Sequence, residues 1–389
     1  MTILSFADTR FPIERANGVQ TMATCRALAA RGHTLTLLVR SDSAAVPRDP
    51  FQFYGVAPLP SLTIEAVGPA RAHRVQMLWT GLQRALTGRA DVVYTRDLGL
   101  AAVLSRVPRR QRPRLVYESH GIGPVMAAAM PALLGSSGPT PSAGKLARID
   151  RREARVWRHA DSYVTITQAL ADDLGTRYGT RARVFVVPDG ANPVTNGTTR
   201  RAPSSRLRAA YAGHLYPWKG VDIFLHALAA TPDIDGLIVG GHAGEADLGR
   251  VTALAAALKL GERLTITGLL PPPEVAAAIG GAEVLVLPNT STVVSERYTS
   301  PLKLFEYLAS GRAIVASDLP ALREVLTHNE TALLVPAGDV HALADALSLL
   351  AADGALRERL GRAARDLSEH FTWERRAERL ERAFAEAMA

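Results

Sequence analysis

The residues from Ser300 to Arg312, SPLKLFEYLASGR, set a lysine and a carboxylate three positions apart behind a Ser-Pro pair. Ser300 followed by Pro301 reads as a helix N-cap and first-turn pair, because a serine oxygen accepts an orphan amide proton and proline has no amide to leave unpaired. A helix starting there offers free N–H groups and partial positive charge to an anion, and Lys303 and Glu306 leave it on one face. One end can hold phosphate, the other hydroxyls. An ordinary amphipathic helix, with Leu302, Phe305 and Leu308 in the core and both charges in solvent, would carry the same pattern.

Two further constellations suit an anionic group. In Ala212 to Gly220, AGHLYPWKG, a strand-like run enters a loop that holds Lys219 immediately before a helix. A lysine there can neutralise a departing diphosphate, and stabilising developing charge is the largest contribution a transferase can make. Tyr216 and Trp218 beside it either join the site or cover the core. Near the N-terminus, Asn17-Gly18 leads into a helix starting at Val19, where a glycine lets backbone approach an anion closely. Tight turns of this kind also occur in most α/β domains. The first strand is not followed by G-x-G-x-x-G, which argues against a nicotinamide dehydrogenase.

The elements that must position these residues alternate along the whole chain. Strand-like runs at Ile3–Ala7, Leu35–Val39, Val92–Thr95, Leu115–Glu118, Tyr163–Thr167 and Val184–Pro188 are interleaved with helical patterns at Val19–Ala30, Arg74–Leu86 and Leu146–His159. The rhythm resumes with strands at Arg208–Ala212, Leu237–Gly240, Leu264–Thr267, Val284–Pro288 and Ala313–Ala316. Such alternation signals parallel sheets with helices on both faces, that is, an α/β fold. At 389 residues the chain is long for one core. The organisation expected is residues 1–190 as a first domain, 191–206 as a linker rich in turn formers, 207–370 as a second doubly wound domain, and 371–389 as a terminal helix crossing back. Open α/β sheets bind ligands at the carboxyl ends of their strands, so the chemistry is expected in a cleft between two such sheets.

Bulk properties narrow the partners. The formal charge of +8 comes with arginine clusters at 109–114 and 148–158, so an anionic partner fits, although a solvated helix face is the leading explanation of the second cluster. No aromatic-interleaved basic stripe points to nucleic acid. Cys25 is the only cysteine, which excludes internal disulfides and cysteine-based zinc sites and suits a reducing, cytoplasmic setting. The chain opens directly on an apolar strand-like run without a basic leader region, and no continuous apolar stretch reaches 18 residues. A membrane would be met from its inner surface, with 126–134 (MAAAMPALL) as the candidate contact, unless that segment lines the cleft.

The order of these motifs resembles a known family over essentially the full chain. A helix-opening glycine, Glu118-Ser119-His120-Gly121 after a strand, Pro188-Asp189-Gly190 at the crossover, the loop from Gly213 to Lys219-Gly220, Gly240-Gly241, Gly268 and the Glu306 helix together look like retaining GT-B glycosyltransferases of family 4. The resemblance implies GT-B architecture, with two Rossmann-like domains facing across a cleft. It also implies transfer of a sugar from a UDP- or GDP-sugar to a glycan, lipid-linked or small-molecule hydroxyl, with retention and without a metal or other cofactor. Carried over, Gly18 places its amide against the donor phosphate, Gly213 opens the phosphate loop and Lys219 binds the diphosphate. His120 contacts the donor sugar and Glu306 the ribose hydroxyls, while Gly241, Gly268 and Leu269 border the nucleotide.

Three positions depart from the family pattern. Counting back from Glu306 on the usual glutamate spacing reaches Tyr298, so Glu296, or Thr299 and Ser300, must serve the sugar hydroxyls. His214 stands where an arginine usually follows the loop glycine, which makes Lys303 the candidate second cation. Asn192 replaces an aspartate. A GT-B sugar-nucleotide epimerase and a non-catalytic sugar-nucleotide or glycan binder are the alternatives.

Overall fold

Runs such as Val284–Leu287 (VLVL) and Ala313–Ser317 (AIVAS) have no polar side to leave in water, so each is stable only as a strand covered on both faces. The computed structural model describes residues 1–42, 44, 46–68, 74–135, 140–193, 206–242 and 244–389, and resolves them into two compact units. Unit 1 comprises Met1–Ala128, Thr140–Asp189 and Trp373–Ala389; unit 2 comprises Ala129–Pro139 and Gly190–Thr372. Most of the expected linker, 194–205, lies outside the described residues.

In chain order the first half contains β1 (Thr2–Arg10), α1 (Ala16–Ala30), β2 (Thr34–Arg40), α2 (Pro50–Tyr54), β3 (Leu62–Val67), α3 (Arg74–Thr87), β4 (Val92–Thr95) and α4 (Leu98–Leu104). It continues with β5 (Arg114–Ser119), α5 (Gly123–Leu133), α6 (Ala143–His159), β6 (Ser162–Thr165), α7 (Gln168–Tyr178) and β7 (Val184–Val186). The second half has β8 (Leu207–Ala212), α8 (Val221–Ala230), β9 (Ile234–Val239), α9 (Ala246–Ala257), β10 (Leu264–Ile266), α10 (Pro272–Gly280), β11 (Val284–Leu287) and α11 (Val293–Arg297). It closes with α12 (Leu302–Ser310), β12 (Ala313–Ser317), α13 (Pro320–Arg323), β13 (Leu333–Val335), α14 (Val340–Ala352), α15 (Gly354–Ser368) and α16 (Trp373–Met388).

Unit 1 is built on a parallel sheet of order β3-β2-β1-β4-β5-β6-β7, and unit 2 on one of order β10-β9-β8-β11-β12-β13. The strand order reverses between β1 and β4 and between β8 and β11, the switch points where doubly wound sheets open a crevice beyond their carboxyl ends. β3 and β13 were not expected from the sequence. Both are edge strands, and β13 has only three residues before Pro336, too few to carry a periodic signal.

The helix α16 belongs to unit 1 because Ala377, Leu380, Phe384 and Ala387, spaced on one helical face, are all buried in its core with Ile3, Leu28, Val92 and Val164. In unit 2 the strands feed two cores. Tyr211, Val284 and Val286 face one side with Phe224 and Leu347, while Ala212, Leu285 and Leu287 face the other with Leu304, Phe305 and Leu308. Two of the residues that looked like the apolar stripe of the Glu306 helix are therefore core residues, and they fix its rotation.

Candidate functional site

In unit 2 the site grows from α12. The helix starts at Leu302 with Pro301 in the cap position and no side-chain cap, so Ser300 is not the N-cap that its type suggested. Pro301 has extended backbone (ψ 126°), which carries the chain straight into the first turn and moves the cap one residue along. The hydroxyl of Tyr307 accepts a hydrogen bond from the Ala212 amide at 2.7 Å, pinning α12 to the carboxyl end of β8.

That docking decides where Lys303, one turn earlier, must go. Its side chain is buried, with Nζ 3.8 Å from the centre of the Tyr211 ring and directly against the backbone of Gly213. Gly213 has φ +128°, which favours glycine, and a Cβ there would lie 3.0 Å from Nζ and displace the lysine tip. Lys303 Nζ has no hydrogen-bond partner among the described residues. Burial, then the neighbouring Lys219 charge, pushes this lysine well below its usual pKa, against the pull of Glu306. Burial likewise pushes the Glu306 carboxyl up, with Lys303 opposing it.

Lys219 sits in a 3-10 turn, Pro217–Lys219, closed by Gly220. A Cβ on Gly220 would meet the Pro288 carbonyl at 1.7 Å, so this turn packs backbone against backbone on the end of β11. Thr290 donates its amide to the Trp218 carbonyl at 3.0 Å across the same junction. The Lys219 ammonium lies 3.5 Å over the Trp218 ring, and burial pulls its pKa down to about 7. Trp218 therefore takes part in the site and Tyr216 stacks on His214, with ring centres 5.0 Å apart. His214 has its Nδ1 3.9 Å from Glu245.

Gly213, Gly240, Gly241 and Gly268 gather at the same sheet edge: a Cβ on Gly240 would strike the Gly213 carbonyl at 2.1 Å, and Gly240 bridges to Gly268. Thr299 is buried and Ser300 half-buried ahead of α12, while Leu269 is exposed. Glu296 lies within α11, where its carboxylate accepts from Ser291, and Tyr298 is buried. Asn289, two residues beyond β11, was missed in the sequence: it is 1% exposed, and both polar atoms of its side-chain amide lack a partner among the described residues. Its only sequence signal is a polar residue just beyond an apolar strand.

Unit 1 holds the remaining two expected residues. Gly18 lies inside the first turn of α1. The helix begins at Ala16 rather than Val19, so the Gly18 amide already donates to the Arg15 carbonyl at 2.9 Å. The glycine is needed for packing, since a Cβ there would lie 2.3 Å from the Tyr54 hydroxyl. His120 follows β5, partly buried, with Nε2 2.5 Å from Glu118. Burial, then the Arg96 guanidinium, lowers its pKa despite the carboxylate beside it.

Two parallel doubly wound units in one chain are the GT-B architecture. Solved structures agree: sucrose-phosphate synthase from Thermosynechococcus elongatus superposes with TM-score 0.76 at 20% identity, covering 99% of this chain and 98% of that one. The Anabaena protein HepE in complex with UDP-glucose gives 0.74 at 16%, covering 99% of each. The family model described as "Glycosyl transferase 4-like domain" matches residues 17–190, and "Glycosyl transferases group 1" matches 206–353. The D-inositol 3-phosphate glycosyltransferase of Streptomyces bingchenggensis is 29% identical over 82% of this chain and 71% of its own length. The chain is a glycosyltransferase of the GT-B, family 4 type.

Proposed function

We propose that the chain moves a sugar from a nucleoside-diphosphate sugar to a hydroxyl acceptor with retention of configuration. The observation that carries this reading is the pair Lys303, buried against Gly213, and Lys219, half-buried and close enough for its charge to act on Lys303, with no hydrogen-bonding carboxylate on either among the described residues. Two such charges are costly to keep without an anion and are stabilised by a diphosphate. Glu306, on the same helix, makes no hydrogen bond within the described residues and suits the ribose hydroxyls. HepE, solved with UDP-glucose, makes a UDP-sugar the first donor to test.

The acceptor hydroxyl attacks the anomeric carbon from the side on which the nucleotide leaves. The C–O bond to phosphate breaks, the new glycosidic bond forms, and the departing phosphate oxygen takes the hydroxyl proton. No protein nucleophile enters, and the lysines supply the positive charge that a metal would otherwise give. EDTA is expected to leave turnover intact, and loss restored by manganese would overturn that part.

The acceptor we favour is a glycan or lipid-linked intermediate of cell-surface glycoconjugate synthesis at the cytoplasmic face of a membrane. Among the described residues no helix is long and apolar enough to cross one. In unit 1 a concavity lined by Arg106, Arg148, Arg151, Arg152, Arg155 and Arg158 suits anionic headgroups better than the apolar segment 126–134. Vesicles containing phosphatidylglycerol should retain the protein at about 0.1 M salt, where the Debye length is about 10 Å, and release it near 1 M, where it falls to about 3 Å. Equal retention by neutral vesicles would count against this contact.

The test of the main reading is thermal-shift titration with UDP, GDP, ADP and CMP, followed by turnover of the matching sugar conjugates and NMR of the product anomer. At about 100 times its dissociation constant a ligand adds roughly 2.7 kcal/mol of stability. Binding without turnover would leave a sugar-nucleotide binder, donor conversion without acceptor an epimerase, and an inverted anomer would refute retention.

A further inference from the structure

Glu118, on β5, is fully buried and ionised, and four groups converge on it. Gln20 Nε2 donates to Oε1 at 2.9 Å, His120 Nε2 lies 2.5 Å from the same oxygen, Arg376 Nη2 donates to Oε2 at 2.6 Å, and the Tyr94 hydroxyl donates to Oε2. Burial alone would raise this carboxyl, but Arg376, then His120 and Arg96, hold it below the usual carboxylate range. Arg376 comes from α16 and has no exposure at all. Its other donors go to Thr24 Oγ1 at 3.1 Å and to the Val187 and Pro188 carbonyls at 2.8 and 2.9 Å, so the guanidinium fork is locked from α1 and from the end of β7.

An ionised carboxylate can only accept. The hydrogen between Glu118 and His120 must therefore sit on Nε2, and a neutral imidazole so held carries its lone pair on Nδ1, for which no hydrogen bond is found within the described residues. The ring keeps 23% side-chain exposure. We infer that Glu118 and Arg376 are positioning residues that fix His120 in the Nε2–H tautomer, so that Nδ1 accepts a hydrogen bond from a substrate hydroxyl. This rests on the proposed transferase reading for the hydroxyl, but not for the tautomer.

The arrangement makes the C-terminal helix part of the site. A buried ion pair adds little net stability over apolar packing, whereas it does hold one geometry, and here the geometry held is that of an imidazole beside solvent. The charged and titratable groups facing His120 are Glu118 on β5, Arg96 after β4, Asp189 after β7 and, through Glu118, Tyr94 and Arg376.

The experiment is two-bond proton–nitrogen NMR of the full chain labelled at histidine nitrogen, with His120→Gln to assign the resonance. At pH 7 His120 should show the Nε2–H pattern. In Glu118→Gln, whose amide can turn its NH2 toward the ring, that pattern should be lost and kcat should fall about 10–100-fold, with UDP affinity in unit 2 nearly unchanged. The acid limb of kcat/KM should also move to lower pH, because removing the carboxylate makes the imidazolium harder to form. Arg376→Lys, which keeps the charge and loses the fork, should show a milder version of the same changes. A wild-type Nδ1–H tautomer, or a Glu118→Gln protein with the wild-type tautomer, kcat and pH profile, would overturn the inference. If no sugar nucleotide is turned over, the NMR pattern still decides the tautomer, so failure of the transferase reading is seen separately.

Discussion

The two units bury charge in opposite ways. In unit 1 the Arg376–Glu118 pair is saturated: every oxygen of the carboxylate is taken and the guanidinium reaches two carbonyls and a hydroxyl. In unit 2 Lys303 is buried with no acceptor among the described residues, and half-buried Lys219 lies over the Trp218 ring. A saturated pair fixes an orientation before any ligand arrives. An unsaturated cation carries a desolvation cost that an incoming anion would relieve, so on the proposed reading unit 2 binds and unit 1 orients.

The sharpest break of this contrast is Arg376→Met. It strands Glu118 in the core and should cost about 3–5 kcal/mol of stability, read by denaturant unfolding of unit 1. A loss below about 1 kcal/mol would show that the pair is not a clamp. In unit 2 Lys219→Ala should instead leave the fold intact and lower turnover by about 10²–10³-fold, by analogy with losing one oxyanion donor. A drop of less than about fivefold would remove Lys219 from the reaction.

The pH dependence of binding comes next in size. With Lys219 near pKa 7 in the free protein, a diphosphate restores its charge, so binding above pH 7 takes up a proton. UDP affinity should therefore fall as pH rises from 7 towards 9, by up to about tenfold per unit. Calorimetry at pH 8 in buffers of different ionisation heat reads the proton directly, and uptake of none would contradict an unpaired lysine. The smallest effect is on stability. Lys303→Met, removing a buried unpartnered ammonium, should stabilise the unliganded protein by about 1 kcal/mol while weakening UDP. Destabilisation of that size would mean that Lys303 has a partner in solution.

Much of this was readable from residue order. The alternation of apolar runs announced two parallel sheets, and Lys219, Lys303 and Glu306 were read from a lysine in a loop before a helix and from a helix-opening segment that an ordinary amphipathic helix would also fit. What failed was local. Ser300 and Gly18 were assigned from the residue types that favour helix starts, and each start lies one to three residues away, because cap preference is weak beside the packing of the whole helix. Asn289, Gln20, Arg96 and Arg376 escaped notice because a polar residue in a strand end or helix has no period that marks it as buried.

The sequence by itself determined the class of fold and the types of group available, since hydrophobic period and glycine placement are local properties of the chain. Whether a given charge is paired is a property of contacts between residues far apart, such as Glu118 and Arg376, separated by 258 positions. Only the tertiary structure could decide that His120 is held by a locked carboxylate while Lys303 finds no hydrogen-bond acceptor among the described residues.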